Sequence, residues 1–214
     1  IKLVNVVPGN SKRGRAALSS SYVLFDRETG AHLLLADGGE LTARRTAAAS
    51  ALAARRLARP ESATHLIIGA GRVGFNLAQA YREVLPMTRT LVYDIMPDNA
   101  ARTVANLNEM GIAAEVTESV ETAAAEADVI SCATLSQTPV LQGAWLHPGQ
   151  HIDLIGSFTP TMREADDAVL TRATVYVDTM DALVESGDIK TPLETGVLVE
   201  SDIRATLKDL CEGD

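Results

Sequence analysis

Three glycines, Gly69, Gly71 and Gly74, form a G-x-G-x-x-G pattern whose spacing suits phosphate binding. The apolar residues 66–68 precede the pattern as a predicted strand and a predicted helix follows it, which is the context that this chemistry requires. Gly69 permits a tight turn, Gly71 lets the backbone approach a pyrophosphate, and Gly74 lets helix and strand pack closely. Free N–H groups at the helix N-terminus would bind the phosphates. The pattern therefore predicts a dinucleotide site.

An acidic residue, Asp94, ends the next predicted strand and lies 94 − 74 = 20 residues after Gly74. A carboxylate there accepts hydrogen bonds from the ribose hydroxyls of adenosine and repels a 2′-phosphate. Because no basic residue stands at Ile95 or Met96, we expect NAD to be preferred, with NADP possible. A methyltransferase that binds S-adenosylmethionine has a similar turn and ribose acid, and it stays open as the nearest alternative.

Strands and helices alternate from residue 64 onward, and this alternation must position the glycine turn. The pattern predicts strands at 65–68, 90–94, 113–116, 129–133, 151–155 and 174–177, and helices at 73–85, 99–110, 119–127 and 163–171. Such alternation implies right-handed crossovers and a parallel sheet with helices on both faces. The predicted fold class is therefore α/β, with a Rossmann-type doubly wound parallel sheet.

The two ends of the chain differ from this middle part. Residues 1–58 hold three strand-like runs (1–7, 20–26 and 32–36) and a helix rich in small residues (42–57), which do not complete a domain alone. We expect them to be part of a second, α+β domain, with a Rossmann domain at 59–185 and a polar, irregular return segment at 186–214. The chain starts in strand-like sequence without a Met, so we expect a fragment that lacks both flanks.

Composition excludes several classes of protein. With 19 Lys and Arg against 28 Asp and Glu, the net charge of −9 argues against nucleic acid or an anionic membrane as a partner. The two cysteines, Cys132 and Cys211, indicate neither a disulfide framework nor a metal site. No apolar run is long enough to span a membrane. We therefore expect a cytoplasmic protein without a bound metal.

Two cations lie outside the dinucleotide pattern. Lys2 shares a strand face with Val4 and Val6, where a buried ammonium is costly unless it meets an anion. Arg45 begins a run of small residues, 46–54, that predicts a tightly packed helix, and from there it can bind a carboxylate by two parallel hydrogen bonds. The alternatives stay open: a frayed strand would turn Lys2 to water, and most helical arginines are solvated.

Short runs along the whole chain match one family pattern. They are Lys2…Pro8-Gly9-Asn10, Thr29-Gly30, Leu41-Thr42-Ala43-Arg44-Arg45-Thr46-Ala47-Ala48-Ala49-Ser50-Ala51, Ile67-Ile68-Gly69-Ala70-Gly71, Ala127-Asp128-Val129-Ile130, Thr138-Pro139-Val140-Leu141 and Ile155-Gly156-Ser157…Pro160…Arg163-Glu164. On these residues the chain resembles the ornithine cyclodeaminase/mu-crystallin family. The resemblance implies a homodimer in which N- and C-terminal segments form a dimerisation and substrate domain, so that 1–58 and 186–214 belong to it. It also implies hydride chemistry with NAD or NADP on a small amino or imino acid.

The resemblance also implies roles for individual residues. Lys2 and Arg45 match residues that hold the substrate carboxylate, and they are the catalytic candidates, in a cleft between the first segment and the Rossmann domain. The residues that match cofactor contacts are Arg45, Thr46, Gly69, Gly71, Arg72, Val73, Gly74, Asp94, Thr134 and, beside the nicotinamide, Ile155, Gly156, Ser157 and Phe158.

One departure from the family pattern bears on the reaction. Phe158 and Met162 stand where ornithine cyclodeaminases carry a catalytic acid and a lysine. Ketimine reductases of the family lack that acid and need only a hydride, a held carboxylate and a proton source. We therefore predict an NAD(P)-dependent oxidoreductase that reduces a ketimine or cyclic imino acid, or oxidises the matching α-amino acid. A cyclodeaminase that releases ammonia and a non-catalytic, NAD(P)-dependent binding protein are the alternatives.

Overall fold

A computed structural model of the chain describes residues 1–13, 15 and 18–213. They divide into two compact units, Ile1–Thr46 and Ala47–Asp214, and the division falls within the first helix. No helix in these ranges is both long and apolar enough to cross a membrane.

The first unit is built on an antiparallel sheet. Its strands, in the order β1-β2-β3, are β1 (Lys2–Val6), β2 (Leu18–Phe25) and β3 (His32–Asp37), and a 3₁₀ turn at Pro8–Arg13 lies between the first two. Helix α1 (Gly38–Leu57) follows β3 directly. It begins four residues earlier than the predicted start at Thr42, because the Asp37 carboxylate accepts hydrogen bonds from the N–H groups of Gly39 and Glu40 and so caps the first turn.

The second unit contains a five-stranded parallel sheet, which confirms the predicted fold class. The strand order is β6-β5-β4-β7-β8. The strands are β4 (Thr64–Ile68), β5 (Arg89–Tyr93), β6 (Ala114–Val116), β7 (Val129–Cys132) and β8 (His151–Leu154). The helices between them are α2 (Arg72–Arg82), α3 (Pro97–Glu109) and α4 (Val120–Glu126).

Helices cover both faces of this parallel sheet. On one face Ile67 packs in a buried cluster with Ala51 of α1 and Leu77 of α2. On the other, Leu66 packs with Ala124 of α4 and Leu141. Because β4 is covered on both sides, its residues Leu66, Ile67 and Ile68 form an uninterrupted apolar run rather than an alternating pattern.

The C-terminal part differs from the sequence prediction. It contains α5 (Asp167–Thr171), β9 (Val175–Val177), α6 (Ala182–Glu185), α7 (Gly187–Thr195), β10 (Ile203–Thr206) and α8 (Leu207–Glu212). The predicted sixth strand therefore pairs with β10 in a separate two-stranded sheet, and the tail is not irregular. Buried Val175, Val177, Ile189 and Leu198 form a small core there, which long-range packing rather than local pattern creates.

A polar cluster joins four elements beneath the sheet. The Asp153 carboxylate of β8 accepts hydrogen bonds from the hydroxyls of Ser50 on α1 (3.2 Å), Tyr81 on α2 (3.0 Å) and Ser131 on β7 (3.3 Å). Burial raises the pKa of Asp153 to about 6, against the opposing effect of these hydrogen bonds. The folded state therefore holds a proton on Asp153 at pH values where the unfolded chain has released it.

We expect Asp153→Asn to change how the free energy of unfolding depends on pH. In the wild type, the contribution of Asp153 to stability should be lost as pH rises from about 4 to about 6, because only the folded state keeps its proton in that range. The variant should lack this component, so the difference between the two curves should change by about 2–3 kcal/mol across the window. Urea denaturation at several pH values measures the free energy of unfolding of both proteins. Parallel curves would contradict the raised pKa of Asp153. The other buried titratable groups, such as His65 and His151, contribute equally to both proteins and cancel.

Candidate functional site

The glycine turn after β4 has the geometry that the sequence predicts. Gly69 has a φ of +105°, and a Cβ there would lie 2.5 Å from the carbonyl oxygen of Ala133. A Cβ on Gly74 would collide with the carbonyl oxygen of Gly69 and lie 3.1 Å from Ile67 Cγ2. The first glycine is thus required by the turn, and Gly74 by the close packing of α2 on β4.

The N-terminus of α2 is open and has no side-chain cap. Gly71 is the N-cap residue, and no side chain caps the first turn that Arg72 and Val73 begin. A Cβ added to Gly71 would meet nothing within 4 Å, so the backbone faces open space. Uncapped N–H groups with room in front of them, at the positive end of a helix dipole, fit a pyrophosphate.

Asp94, at the end of β5, is bound to the glycine turn. Its Oδ2 accepts a hydrogen bond from the N–H of Ala70 (2.8 Å), and its Oδ1 accepts one from the N–H of Met96 (2.9 Å). Oδ2 can accept a second hydrogen bond, and Oδ1, whose second donor is Asn99 Nδ2 at 3.4 Å, can exchange that long contact for a ribose hydroxyl. Asp94 thus lies beside the turn, as a ribose-binding acid must.

An arginine that sequence reasoning missed lies near this corner. Arg102 Nη2 donates to Asn99 Oδ1 (2.6 Å), and Asn99 Nδ2 lies 3.4 Å from Asp94 Oδ1. Ile95 and Met96, directly after Asp94, carry no charge that could bind a phosphate, whereas Arg102 stands eight positions after Asp94. The i,i+3 spacing of the pair on α3 is the signal that would have found Arg102.

The loops after β7 and β8 meet the glycine turn at the carboxyl edge of the sheet. Thr134 follows β7, and its Cγ2 would lie 3.2 Å from a Cβ on Gly69. A Cβ on Gly156, after β8, would collide with the carbonyl oxygen of Thr134. Gly156 is thus held against Thr134, while Phe158 is 48% exposed. The structure therefore brings the glycine turn, Thr134 and Gly156 together, at the edge where parallel α/β sheets bind ligands.

Glu164 supports these loops, and sequence reasoning did not single it out. It is fully buried, and its carboxylate accepts hydrogen bonds from Thr134 and Gly156. Burial raises its pKa to about 7. In the sequence, Glu164 stands out only as the last residue of the run 155–164 that matches the family pattern. No local spacing distinguishes it from a solvated glutamate.

Lys2 and Arg45 lie near each other in the unit Ile1–Thr46. Slight desolvation and the positive charge of Arg45 lower the pKa of the exposed Lys2. Within the described residues neither side chain forms an ion pair or a hydrogen bond, whereas the neighbouring Arg44 pairs with Glu40. Two adjacent cations without a counter-ion suit the binding of an anion.

Lys2 is more exposed than the sequence predicts. The sequence predicts that Lys2 lies on a buried strand face, but all five residues of β1 are exposed. Of its neighbours across the sheet, Tyr22 is half-buried and shares the face of Lys2. The unit that contains β1 consists of one three-stranded sheet and the first residues of α1. These elements are too few to cover both faces of the sheet. Thr46, beside Arg45, is half-buried.

Comparison with known proteins assigns the family. The chain matches the model of the ornithine cyclodeaminase/mu-crystallin family over residues 1–214. It belongs to that family. It is 36% identical to the Delta(1)-pyrroline-2-carboxylate reductase of Paracoccus denitrificans, over 98% of this chain and 67% of that protein. The resemblance that the sequence motifs indicate is therefore confirmed.

Solved structures agree. The Delta(1)-pyrroline-2-carboxylate reductase of Thermococcus litoralis, in complex with NADH and L-proline, matches with a TM-score of 0.95 and 36% identity, over 99% of this chain and 66% of that one. An archaeal alanine dehydrogenase dimer with bound NAD matches with a TM-score of 0.90 and 32% identity, over 99% and 66%. The chain thus spans about two thirds of the length of these relatives. Among the described residues, no group of three or more His, Cys, Asp or Glu could hold a metal ion.

Proposed function

We propose that the protein is an NAD(P)-dependent oxidoreductase that reduces the C=N bond of a small ketimine or cyclic imino acid, or oxidises the matching α-amino acid. The observation that carries this proposal is the pair of adjacent cations, Lys2 and Arg45, which lacks a counter-ion among the described residues. The carboxylate of an amino or imino acid, with its single negative charge, would bind both cations and offset one of their two charges. The likeness to a reductase that binds NADH and L-proline supports the same substrate class.

The residues of the glycine turn would hold the cofactor. The N-terminus of α2, with Gly69, Gly71, Arg72, Val73 and Gly74, binds the pyrophosphate, and Asp94 binds the adenosine ribose. Arg45, Thr46 and Thr134 add contacts, and Ile155, Gly156, Ser157 and Phe158 lie beside the nicotinamide. Bound NADH supplies the hydride, and the protein supplies orientation and charge.

Lys2 has two roles in this proposal. Its ammonium shares the substrate carboxylate with Arg45, whose planar guanidinium suits two parallel hydrogen bonds. The lowered pKa of Lys2 makes its ammonium a better acid, so it can supply the proton that the substrate nitrogen gains on reduction.

The partner in solution is a second copy of this chain, according to the same proposal. Leu3, Leu33 and Leu35 of the antiparallel sheet are each more than half exposed. Exposed apolar residues clustered on one small sheet favour a protein interface. The archaeal alanine dehydrogenase, a dimer, supports this partner.

We expect Lys2→Met to lower kcat/KM for a cyclic imino acid such as pyrroline-2-carboxylate by about 10- to 100-fold, because a hydrogen bond to a charged group is lost. NADH affinity, measured by fluorescence titration, should be unchanged. Arg45→Met should lower both quantities, and Arg44→Met, which removes an exposed, ion-paired neighbour, is the matched control. Wild-type kcat/KM in Lys2→Met would refute the carboxylate role. Tight binding of the imino acid without turnover in the wild type would favour a non-catalytic binding protein.

The proposal also predicts a preference for NADH over NADPH. A 2′-phosphate beside the Asp94 carboxylate meets like charge and loses two hydrogen bonds, which together disfavour it by about 1–3 kcal/mol. Asp94→Ser should reduce the preference, and nearby Arg102 should then favour the phosphate. The two dissociation constants, measured on both proteins, test this, and tighter NADPH binding by the wild type would overturn it.

Ornithine cyclodeamination should be weak or absent, because Phe158 stands where the family's cyclodeaminases carry an acid. We expect no proline and no ammonia from ornithine under conditions in which a cyclic imino acid is reduced. Coupled detection of ammonia measures this directly. Robust ammonia release would instead support the cyclodeaminase alternative.

A further inference from the structure

Glu164 is a fully buried carboxylate that the proposed reaction does not use. Its Oε1 accepts hydrogen bonds from the N–H of Thr134 (2.6 Å) and from the Thr134 hydroxyl (2.7 Å), and its Oε2 accepts one from the N–H of Gly156 (2.5 Å). Thr134 follows β7 and Gly156 follows β8. One side chain therefore links the carboxyl ends of two adjacent parallel strands.

Asp188, at the start of α7, holds Glu164 from the other side. It is 1% exposed, and its Oδ1 accepts hydrogen bonds from the N–H groups of Glu164 (2.9 Å) and Ala165 (3.1 Å). The N–H of Asp188 in turn donates to the hydroxyl of Ser157 (3.1 Å), next to Gly156. Backbone and side chain of Glu164 are thus both fixed, and the hydrogen bonds form a closed ring.

The two linked loops are closely packed against each other at Gly156. A Cβ on Gly156 would collide with the carbonyl oxygen of Thr134 and lie 2.5 Å from Glu164 Oε1. Because the Glu164 carboxylate is buried and already accepts three hydrogen bonds, it is poorly placed to exchange a proton with a substrate. Its hydrogen bonds are instead suited to fixing the distance between the loops at Thr134 and Gly156.

We propose that Glu164 is a positioning residue that keeps Thr134 and the segment 155–158 at the spacing that the nicotinamide ring requires, and that protonation of Glu164 weakens cofactor binding. This inference rests on the proposed function, because it takes both loops to contact the cofactor. When Glu164 is ionised, it accepts all three hydrogen bonds. When it is protonated, its charge is lost, one oxygen becomes a donor, and the link between the loops loosens.

The environment of Glu164 places its titration near neutral pH. Burial, with a smaller contribution from the Asp188 charge, raises its pKa to about 7 against the opposing hydrogen bonds from Thr134 and Gly156. The other groups that face the pair are Cys132 on β7, whose thiol pKa is raised by burial and by nearby carboxylates, and Arg163, whose Nε lies 3.5 Å from Asp188 Oδ1. Cofactor affinity should therefore fall as pH decreases through about 7.

The test is the dissociation constant for NADH, measured by fluorescence from about pH 6 to about pH 8.5, on either side of the Glu164 pKa of about 7. Wild-type affinity should decrease by about tenfold toward the acid end, as expected for the weakening of charge-assisted hydrogen bonds. Glu164→Gln should bind NADH weakly and equally at every pH. The control, Glu121→Gln, changes an exposed residue of α4 and should follow the wild type. Burial lowers the pKa of His65 to about 3 and that of His151 to about 4, both outside this range.

A second variant tests the inference without altering Glu164. Asp188→Asn removes a negative charge that raises the Glu164 pKa, so the midpoint of the affinity profile should move to lower pH. A flat wild-type profile, or a pH dependence that survives in Glu164→Gln, would overturn the inference while leaving the proposed function intact. Failure of the wild type to bind NADH at any pH would overturn the proposed function, and the inference with it. If Glu164→Gln does not fold, the wild-type profile and the Asp188→Asn midpoint still decide.

Discussion

Parallel pairing of β4 with β5 on one side and β7 on the other is the constraint on which the cofactor site depends. In register, Ile68 lies opposite Tyr93 and Cys132, so the three strands end at one level. The residues that follow Ile68, Tyr93 and Cys132 therefore meet at the carboxyl edge of the sheet. The N-terminus of α2 also lies at this edge. A parallel sheet needs a long crossover between strands, and those crossovers are the helices that bury it.

The protein distributes its charges in two different ways. Its buried carboxylates, Glu164, Asp188 and Asp153, are surrounded by donors from separate elements and hold loops, strands and helices together. Lys2 and Arg45 are instead exposed, adjacent and without a counter-ion among the described residues. Buried polar groups that are fully hydrogen-bonded stiffen a fold. Unpaired neighbouring cations repel each other unless an anion lies between them, and this repulsion is the reason for proposing that Lys2 and Arg45 bind a carboxylate.

Elements with a strong local signal were predictable. The turn at Gly69 needs a positive φ and β4 ends in the apolar run Leu66-Ile67-Ile68, so both follow from residue types alone. The start of α1 and the pairing of β9 did not follow, because the first depends on a side-chain cap from Asp37 and the second on pairing with Ile203 and Thr206, 28 and 29 positions away. Local periodicity carries no information about either.

The features of the candidate site also fall into those that local sequence specifies and those that tertiary contacts specify. The sequence by itself determined the glycine turn, the acid at Asp94 and the family, because these depend on residue type and short spacing. Only the tertiary structure decided that Glu164 joins Thr134 to Gly156, and that Arg102 reaches toward Asp94 through Asn99. Glu164 and Thr134 are 30 residues apart in the chain. Contacts of that range arise when strands pair and loops converge, and no pattern of neighbouring residues encodes them.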